Sequence, residues 1–136
     1  MINHIIDNIF IGDWQDAKYH HKEFDEIFTV AKDSPFIGNH YYPLVDGPYP
    51  DNERLLTNAI DDLLEIRNKD WRLNKMILVH CISGISRSTI VVAGYMVRKG
   101  QVYTVEDALY HIKKIRPLAN PVPELVRLLE KYERTK

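Results

Sequence analysis

The sequence predicts an α/β fold in which helices flank a single mixed, mostly parallel sheet. Short apolar runs of strand length occupy the first third of the chain and return once near its middle. Longer segments with helical periodicity lie between these runs, and three of them follow in succession at the C-terminal end. No internal repeat or linker divides the chain, so we expect residues 1–136 to form one domain.

Four apolar runs are predicted to be strands. The first is closed by Gly12, and the third contains Pro43, which predicts an edge or irregular position because proline lacks a backbone donor. The last run is apolar throughout, which is typical of a strand buried on both faces. The four runs are Ile9–Ile11, Glu26–Val30, His40–Val45 and Met76–Val79.

Five helices are predicted from apolar stripes and from their capping residues. Asp13 is placed to cap a short first helix, and Thr104 is placed to cap the fourth. The third is apolar on all sides, which predicts a central position in the fold. We interpret Trp14 and Trp71 as packing residues. The helices are expected over residues 14–17, from Asp51 or Asn52 to about Asn68, over Ser88–Val97, over Val105–Ile115, and after Pro121 and Pro123.

Composition limits the classes of partner. The chain is 45% hydrophobic and 27% charged with a net charge of −1, so we expect neither a nucleic acid nor a membrane as partner. A single cysteine excludes an internal disulfide framework and fits a reducing compartment. The N-terminal residues lack a signal pattern, and no apolar stretch is long enough to span a bilayer. We expect a cytoplasmic protein, most simply a monomer.

The stretch from His80 to Ser88 combines the parts of a phosphate-binding, thiol-based active site. It joins the apolar strand to the apolar helix, so its backbone N–H groups and the helix dipole favour a bound anion. The same field favours the nucleophilic thiolate of Cys81. Arg87 supplies a planar fork for two phosphoryl oxygens, and Gly84 suits a tight turn close to a ligand.

The pattern His-Cys-x-x-Gly-x-x-Arg-Ser in this context resembles the signature loop of the cysteine-dependent protein tyrosine phosphatases, most closely that of their dual-specificity branch. Two departures are visible: the spacing from Asp46 to Cys81 is longer than usual in the family, and Gly94 replaces a more usual alanine. Other stretches that resemble the family are Ile9–Gly12 with Asp16 and Ala17, Tyr42–Asp46, and Ile115–Pro117 with Asn120 and Pro121.

The resemblance implies a protein tyrosine phosphatase-like fold and hydrolysis of phosphotyrosine, with phosphoserine and phosphothreonine as further substrates. Cys81 would form a cysteinyl-phosphate that water then hydrolyses, without a metal or organic cofactor. Ser88 would donate a hydrogen bond to the sulfur, and it is equally a hydroxyl at a helix start. His80 would either fix the loop or simply be a buried histidine. The phosphate-binding residues would be Ile82, Ser83, Gly84, Ile85, Ser86 and Arg87.

The leaving group also needs a proton, usually from a carboxylic acid on a neighbouring loop. Asp46 and Asp51 are the two candidates. Asp46 precedes Gly47 and Pro48 and can project from a loop, and the resemblance favours it. Asp51 stands where a long helix begins, where a capping role also accounts for it.

Two alternative functions remain open. The first is a phosphatase of a phosphoinositide or an RNA 5′-phosphate, although the variable loop positions Ile82, Ser83, Ile85 and Ser86 carry no charge for a polyanion. The second is a phosphoprotein-binding module without catalysis, which would need no Cys81. Lys113, Lys114 and Arg116 are interpreted as a solvated helix end that an acidic substrate could contact.

Overall fold

A computed structural model describes residues 1–70 and 75–134, so Trp71 lies outside the described residues. Five strands form one sheet in the order β1-β2-β5-β3-β4. Only β1 and β2 are antiparallel, and every other neighbouring pair is parallel, which confirms the predicted mixed, mostly parallel sheet. The strands are β1 (Asn3–Ile6), β2 (Ile9–Gly12), β3 (Glu26–Thr29), β4 (His40–Tyr41) and β5 (Ile77–His80).

Five α-helices accompany the sheet, close to the predicted positions. Asp13 caps α1 reciprocally: its side chain accepts from the Asp16 amide, and the Asp16 carboxylate accepts from the Asp13 amide. The Thr104 hydroxyl accepts from the Asp107 amide at the start of α4. The helices are α1 (Trp14–His20), α2 (Asn52–Asp70), α3 (Arg87–Arg98), α4 (Val105–Ile115) and α5 (Pro123–Arg134).

The sheet differs from the prediction at its two edges. Strand β1 was not predicted, because only Ile5 of its four residues is buried and the sequence Asn-His-Ile-Ile does not alternate between apolar and polar residues. The expected strand from His40 to Val45 is a strand only over His40–Tyr41. The Leu44 amide then bonds to the carbonyl of Tyr42, two residues back, so the backbone turns away from the sheet around Pro43.

The loop between β5 and α3 is positioned by two buried elements. All four residues of β5 are buried, and β5 lies between β2 and β3 in the sheet. Helix α3 is buried along nearly its whole length, as its apolar sequence predicts. The carboxyl ends of the parallel strands meet at one edge of the sheet, where α/β folds commonly bind ligands. The loop between β5 and α3 lies at that edge.

The packing around Gly94 explains why this chain has glycine where the family more usually has alanine. A Cβ at this position would lie 2.8 Å from Ile60 Cγ1 of α2 and 3.0 Å from Leu129 Cδ1 of α5. The side chain of Ile60 therefore fills the space that an alanine methyl group would need. The glycine allows α3 to pack closely against α2.

Within the described residues, no helix is both long enough and apolar enough to cross a bilayer.

Candidate active site

The signature loop, residues 81–86, has its carbonyl groups bonded by distant parts of the chain. The Trp14 amide, at the start of α1, donates to the carbonyl of Ile82 at 3.0 Å. The Asn120 amide, which precedes α5, donates to the carbonyl of Ile85 at 2.9 Å. The Ser86 hydroxyl accepts from the Val122 amide at 3.0 Å, so the approach to α5 contacts the loop twice.

Arg116 bonds the two carbonyls in the middle of the loop. Its Nε donates to Gly84 O at 2.8 Å, and its Nη2 donates to Ser83 O at 3.2 Å. Its Nη1 donates to Met1 O and to Asn3 Oδ1, which ties the loop to the start of the chain. Arg116 is only 5% exposed, so its interpretation as part of a solvated helix end was wrong. Its many donors fit several carbonyls at once.

Gly84 is required by this packing. Its φ of +71° lies in the left-handed region, which side chains disfavour. A Cβ there would also lie 2.5 Å from Arg116 Nη2 and 2.7 Å from the carbonyl oxygen of Gly12. The loop can therefore approach β2 and Arg116 only with glycine at this position.

The backbone amides of the loop differ from its carbonyls in their hydrogen bonding. In the described ranges, no carbonyl or side chain accepts a hydrogen bond from the amides of residues 82–86. Five N–H groups in one loop are therefore available as donors, and backbone donors in folded proteins are rarely left without a partner. Such a set of donors is suited to an anion with several oxygens.

Cys81 lies at the base of this loop and is 2% exposed. Its Sγ lies 3.3 Å from Ser88 Oγ, within the first turn of α3. Ser88 is the hydrogen-bond partner that the sequence predicted for the sulfur, and the structure brings the two atoms together. The hydroxyl does not cap α3, because Ser86 stands at the cap position and the helix has already begun.

Arg87 is buried and is held from one side. Its Nη1 donates to Asp33 Oδ1 at 2.6 Å and to Leu44 O at 3.0 Å. Its Nε is buried and has no hydrogen-bond partner among the described residues. One edge of the guanidinium is therefore oriented by the protein, and Nε is free to donate to a ligand oxygen.

Asp33 was not predicted as a site residue. The hydrogen bond and charge of Arg87 lower the pKa of its carboxyl group below the ordinary value, although its side chain is 65% exposed. The sequence carries no local signal for this contact, because the two residues are 54 positions apart.

His80 is fully buried behind Cys81, and its two ring nitrogens have different partners. Nδ1 donates to the carbonyl of Cys81 at 3.1 Å, and Nε2 accepts from the Thr29 hydroxyl at 2.7 Å. That hydroxyl accepts in turn from the Gly38 amide at 2.8 Å. Burial lowers the pKa of His80 below its ordinary value, and this chain of bonds fits the neutral ring.

The two candidate acids lie in different surroundings. Asp46 Oδ1 is 3.9 Å from Arg87 Nε. Asp51 is exposed, and its carboxylate lies 3.8 Å from Arg54 of its own helical turn. Only Asp46 of the two is adjacent to Arg87.

A family model described as the dual specificity phosphatase catalytic domain matches residues 9–135. The chain belongs to this family. The resemblance that the sequence motifs carry is thereby confirmed, and so is the protein tyrosine phosphatase-like fold.

Relatives match nearly the whole chain. Putative tyrosine phosphatase 123R of Invertebrate iridescent virus 6 is 30% identical over 96% of this chain and 90% of its own length. Human dual specificity protein phosphatase 22 is 27% identical over 98% of the chain and 74% of its own. The crystal structure of DUSP15 has a TM-score of 0.78 and 26% identity over 97% of this chain and 86% of its own. Other relatives are longer: the chain covers 8% of human protein phosphatase Slingshot homolog 3.

Membership of this family makes the chain a cysteine-dependent dual-specificity protein phosphatase, as the sequence predicted. A dual-specificity phosphatase needs a nucleophile, a phosphate-binding loop and an arginine. In this chain a cysteine, a loop and an arginine occur together in that order, as Cys81, residues 82–86 and Arg87. The non-catalytic binding module is not supported.

Proposed function

We propose that the protein hydrolyses phosphotyrosine, and phosphoserine or phosphothreonine, in two displacement steps at Cys81. In the first step the thiolate attacks phosphorus, an S–P bond forms, and the ester P–O bond breaks with a proton passing to the leaving oxygen. In the second step water attacks phosphorus, the S–P bond breaks, and inorganic phosphate and the thiolate are regenerated.

One observation carries this proposal: the carbonyls of the loop are bonded within the described part of the protein, whereas its amides are not. The carbonyls of residues 82–85 are bonded by other parts of the chain, whereas the amides of residues 82–86 are unpaired and Arg87 Nε is buried without a partner. A phosphoryl group brings three equatorial oxygens to such a site. The donors need no rearrangement when charge develops, so they stabilise the transition state.

Asp46 is proposed as the general acid of the first step and the general base of the second. Its carboxyl group lies beside Arg87 Nε, where the phosphoryl group and its leaving oxygen would meet. Asp51 is paired with Arg54 at the surface and is assigned a structural role.

Ser88 and His80 are proposed to support the nucleophile. The Ser88 hydroxyl is close enough to donate to the sulfur, which stabilises the thiolate as it leaves in the second step. Neutral His80 holds the carbonyl of Cys81 from behind. It would fix the loop rather than exchange protons with the substrate.

The proposed substrate is a phosphorylated protein. Ile82, Ser83, Ile85 and Ser86 add no side-chain charge to the loop, so recognition of the phosphoryl group rests on the backbone and Arg87. A phosphoinositide or RNA 5′-phosphate, whose additional phosphates need cationic partners, is the second candidate. The only cysteine of the sequence is the proposed nucleophile and must stay reduced, so we propose that the enzyme is cytoplasmic. We also propose that it acts as a monomer.

Steady-state kinetics on a panel of phosphopeptides, with phosphoinositide vesicles and a 5′-phosphorylated RNA alongside, test this proposal. We expect the highest kcat/KM on phosphotyrosine peptides and measurable rates on phosphothreonine peptides. A higher kcat/KM on either non-protein substrate would favour the second candidate. Absence of turnover on every substrate would contradict the proposal.

A further inference from the structure

Asp46 lies in a segment without regular structure, residues 42–51, which we call the acid loop. The loop begins where the backbone leaves β4 and ends at the first residue of α2. An acid in such a segment transfers a proton efficiently only if something fixes its backbone, because proton transfer requires hydrogen-bond geometry.

Asn52, the first residue of α2, supplies three hydrogen bonds to the residues on either side of Asp46. Its Oδ1 accepts from the Val45 amide at 3.0 Å. Its Nδ2 donates to Val45 O at 2.8 Å and to Gly47 O at 3.0 Å. The side chain is 0% exposed, so these bonds do not compete with water.

The three bonds restrain the backbone at Val45 and Gly47, the residues that flank Asp46. Gly47 has a φ of +141°, and a Cβ there would have no neighbour within 4 Å. Its bond to Asn52 therefore limits backbone rotation at a residue that has no side chain to restrain it. On the other side, the carbonyl of Leu44 is bonded by Arg87. The backbone around Asp46 is thus held between Asn52 and Arg87.

We infer that Asn52 is a positioning residue that orients Asp46 for proton transfer. The inference rests on the proposed role of Asp46. Asparagine suits the position because it combines one acceptor and two donors. Aspartate has the same shape but no donor at neutral pH, so it would leave Val45 O and Gly47 O without partners and face them with a negative charge.

The test compares Asn52→Asp, Asp46→Asn and the double variant on aryl phosphates whose leaving groups span a range of basicity. We expect Asn52→Asp to slow phosphotyrosine hydrolysis by about 10²-fold at most, the cost of a small displacement of a reacting group. The rate should be nearly unchanged for a leaving group that is stable as an anion. In the Asp46→Asn background, Asn52→Asp should add almost no further loss.

A separate control for lost stability is needed, because Asn52 is buried and its substitution can destabilise the fold. Leu63→Ala, also buried on α2 but three turns away, provides a destabilised variant that should keep the leaving-group dependence of the parent enzyme. Urea unfolding of each variant shows whether it is folded under assay conditions. Asn52→Ala provides a second substitution, without an added charge, if Asn52→Asp does not fold.

Two results would overturn the inference, and they are distinguishable. If Asp46→Asn shows the steep leaving-group dependence but Asn52→Asp slows all substrates equally, Asn52 does not act through Asp46. The same conclusion follows if the two losses multiply in the double variant. If Asp46→Asn itself lacks leaving-group dependence, the proposed acid is wrong and the role of Asn52 is wrong with it.

Discussion

The signature loop and the acid loop meet at Arg87 but are stabilised differently. The signature loop is bonded by the starts of α1 and α5 and by Arg116, and it lies between two buried elements. The acid loop is bonded at its start by neighbouring backbone and by Arg87, whereas around Asp46 its bonds come from the side chain of Asn52. The proposed binding of the phosphoryl group thus relies on the signature loop, a template with several bonding partners. The proposed proton delivery relies on residues that one side chain bonds.

The largest effect should come from removing the nucleophile without disturbing the template. Cys81→Ser should abolish turnover, because a hydroxyl is far less nucleophilic than a thiolate at neutral pH. Phosphopeptide binding should persist, because the amides and Arg87 remain. Turnover and calorimetric binding measured on the same preparation check this. Turnover near the parent rate would contradict the covalent mechanism, and loss of binding would contradict an independent template.

Asp46→Ala tests the acid loop and should lower kcat on phosphotyrosine by about 10²–10⁴-fold, the usual contribution of a general acid. Substrates with stable leaving groups should be spared.

Asp51→Ala is the matched control, because Asp51 belongs to the same segment but is exposed. The free energy of unfolding of this variant should differ from that of the parent protein by less than about 1 kcal/mol, because ion pairs at the surface contribute little. If Asp51→Ala shows the steep leaving-group dependence and Asp46→Ala does not, the two roles must be exchanged.

Asp33→Asn tests the contact that holds Arg87 from outside the signature loop. The side-chain oxygen of the asparagine can still accept from Arg87 Nη1 but carries no negative charge. The positive charge of Arg87 is then less neutralised, so inorganic phosphate should bind more tightly and kcat should fall. Because Asp33 is largely exposed, both changes should be modest, about fivefold or less. Product inhibition and kcat measured together check this. Unchanged values of both would show that Asp33 does not tune Arg87.

The last prediction concerns the dependence of stability on pH and comes from His80, beneath the template. Its pKa in the folded state lies below the ordinary value near 6.5, so the unfolded chain binds a proton first as the pH falls. The free energy of unfolding should therefore decrease as the pH drops below about 6.5, by at most about 1.4 kcal/mol per pH unit for one proton. Urea unfolding between pH 7.5 and 5 checks this, and a His80→Gln variant should depend less on pH.

The signature loop could be predicted from the sequence because its chemistry is contiguous. Nucleophile, glycine, arginine and serine occur within eight residues, between a recognisable strand and helix. The supports could not be predicted in this way. Asp33, Asn52 and Arg116 reach the site across the fold, and each resembles an ordinary surface or helix-end residue in its local sequence. Strand β1 was missed for a similar reason, because it depends on pairing with β2 rather than on its own apolar pattern.

The contact between Gly94 and Ile60 constrains how this chain can change over generations. Adding a methyl group at Gly94 overfills the helix interface at a cost of about 1–3 kcal/mol. Shortening Ile60 to valine alone leaves a void there at a cost of about 0.5–1.5 kcal/mol. Either first step therefore passes through a less stable intermediate. Descendants should tend to keep both residues or to exchange both, so the two positions should vary as a pair although they lie on different helices.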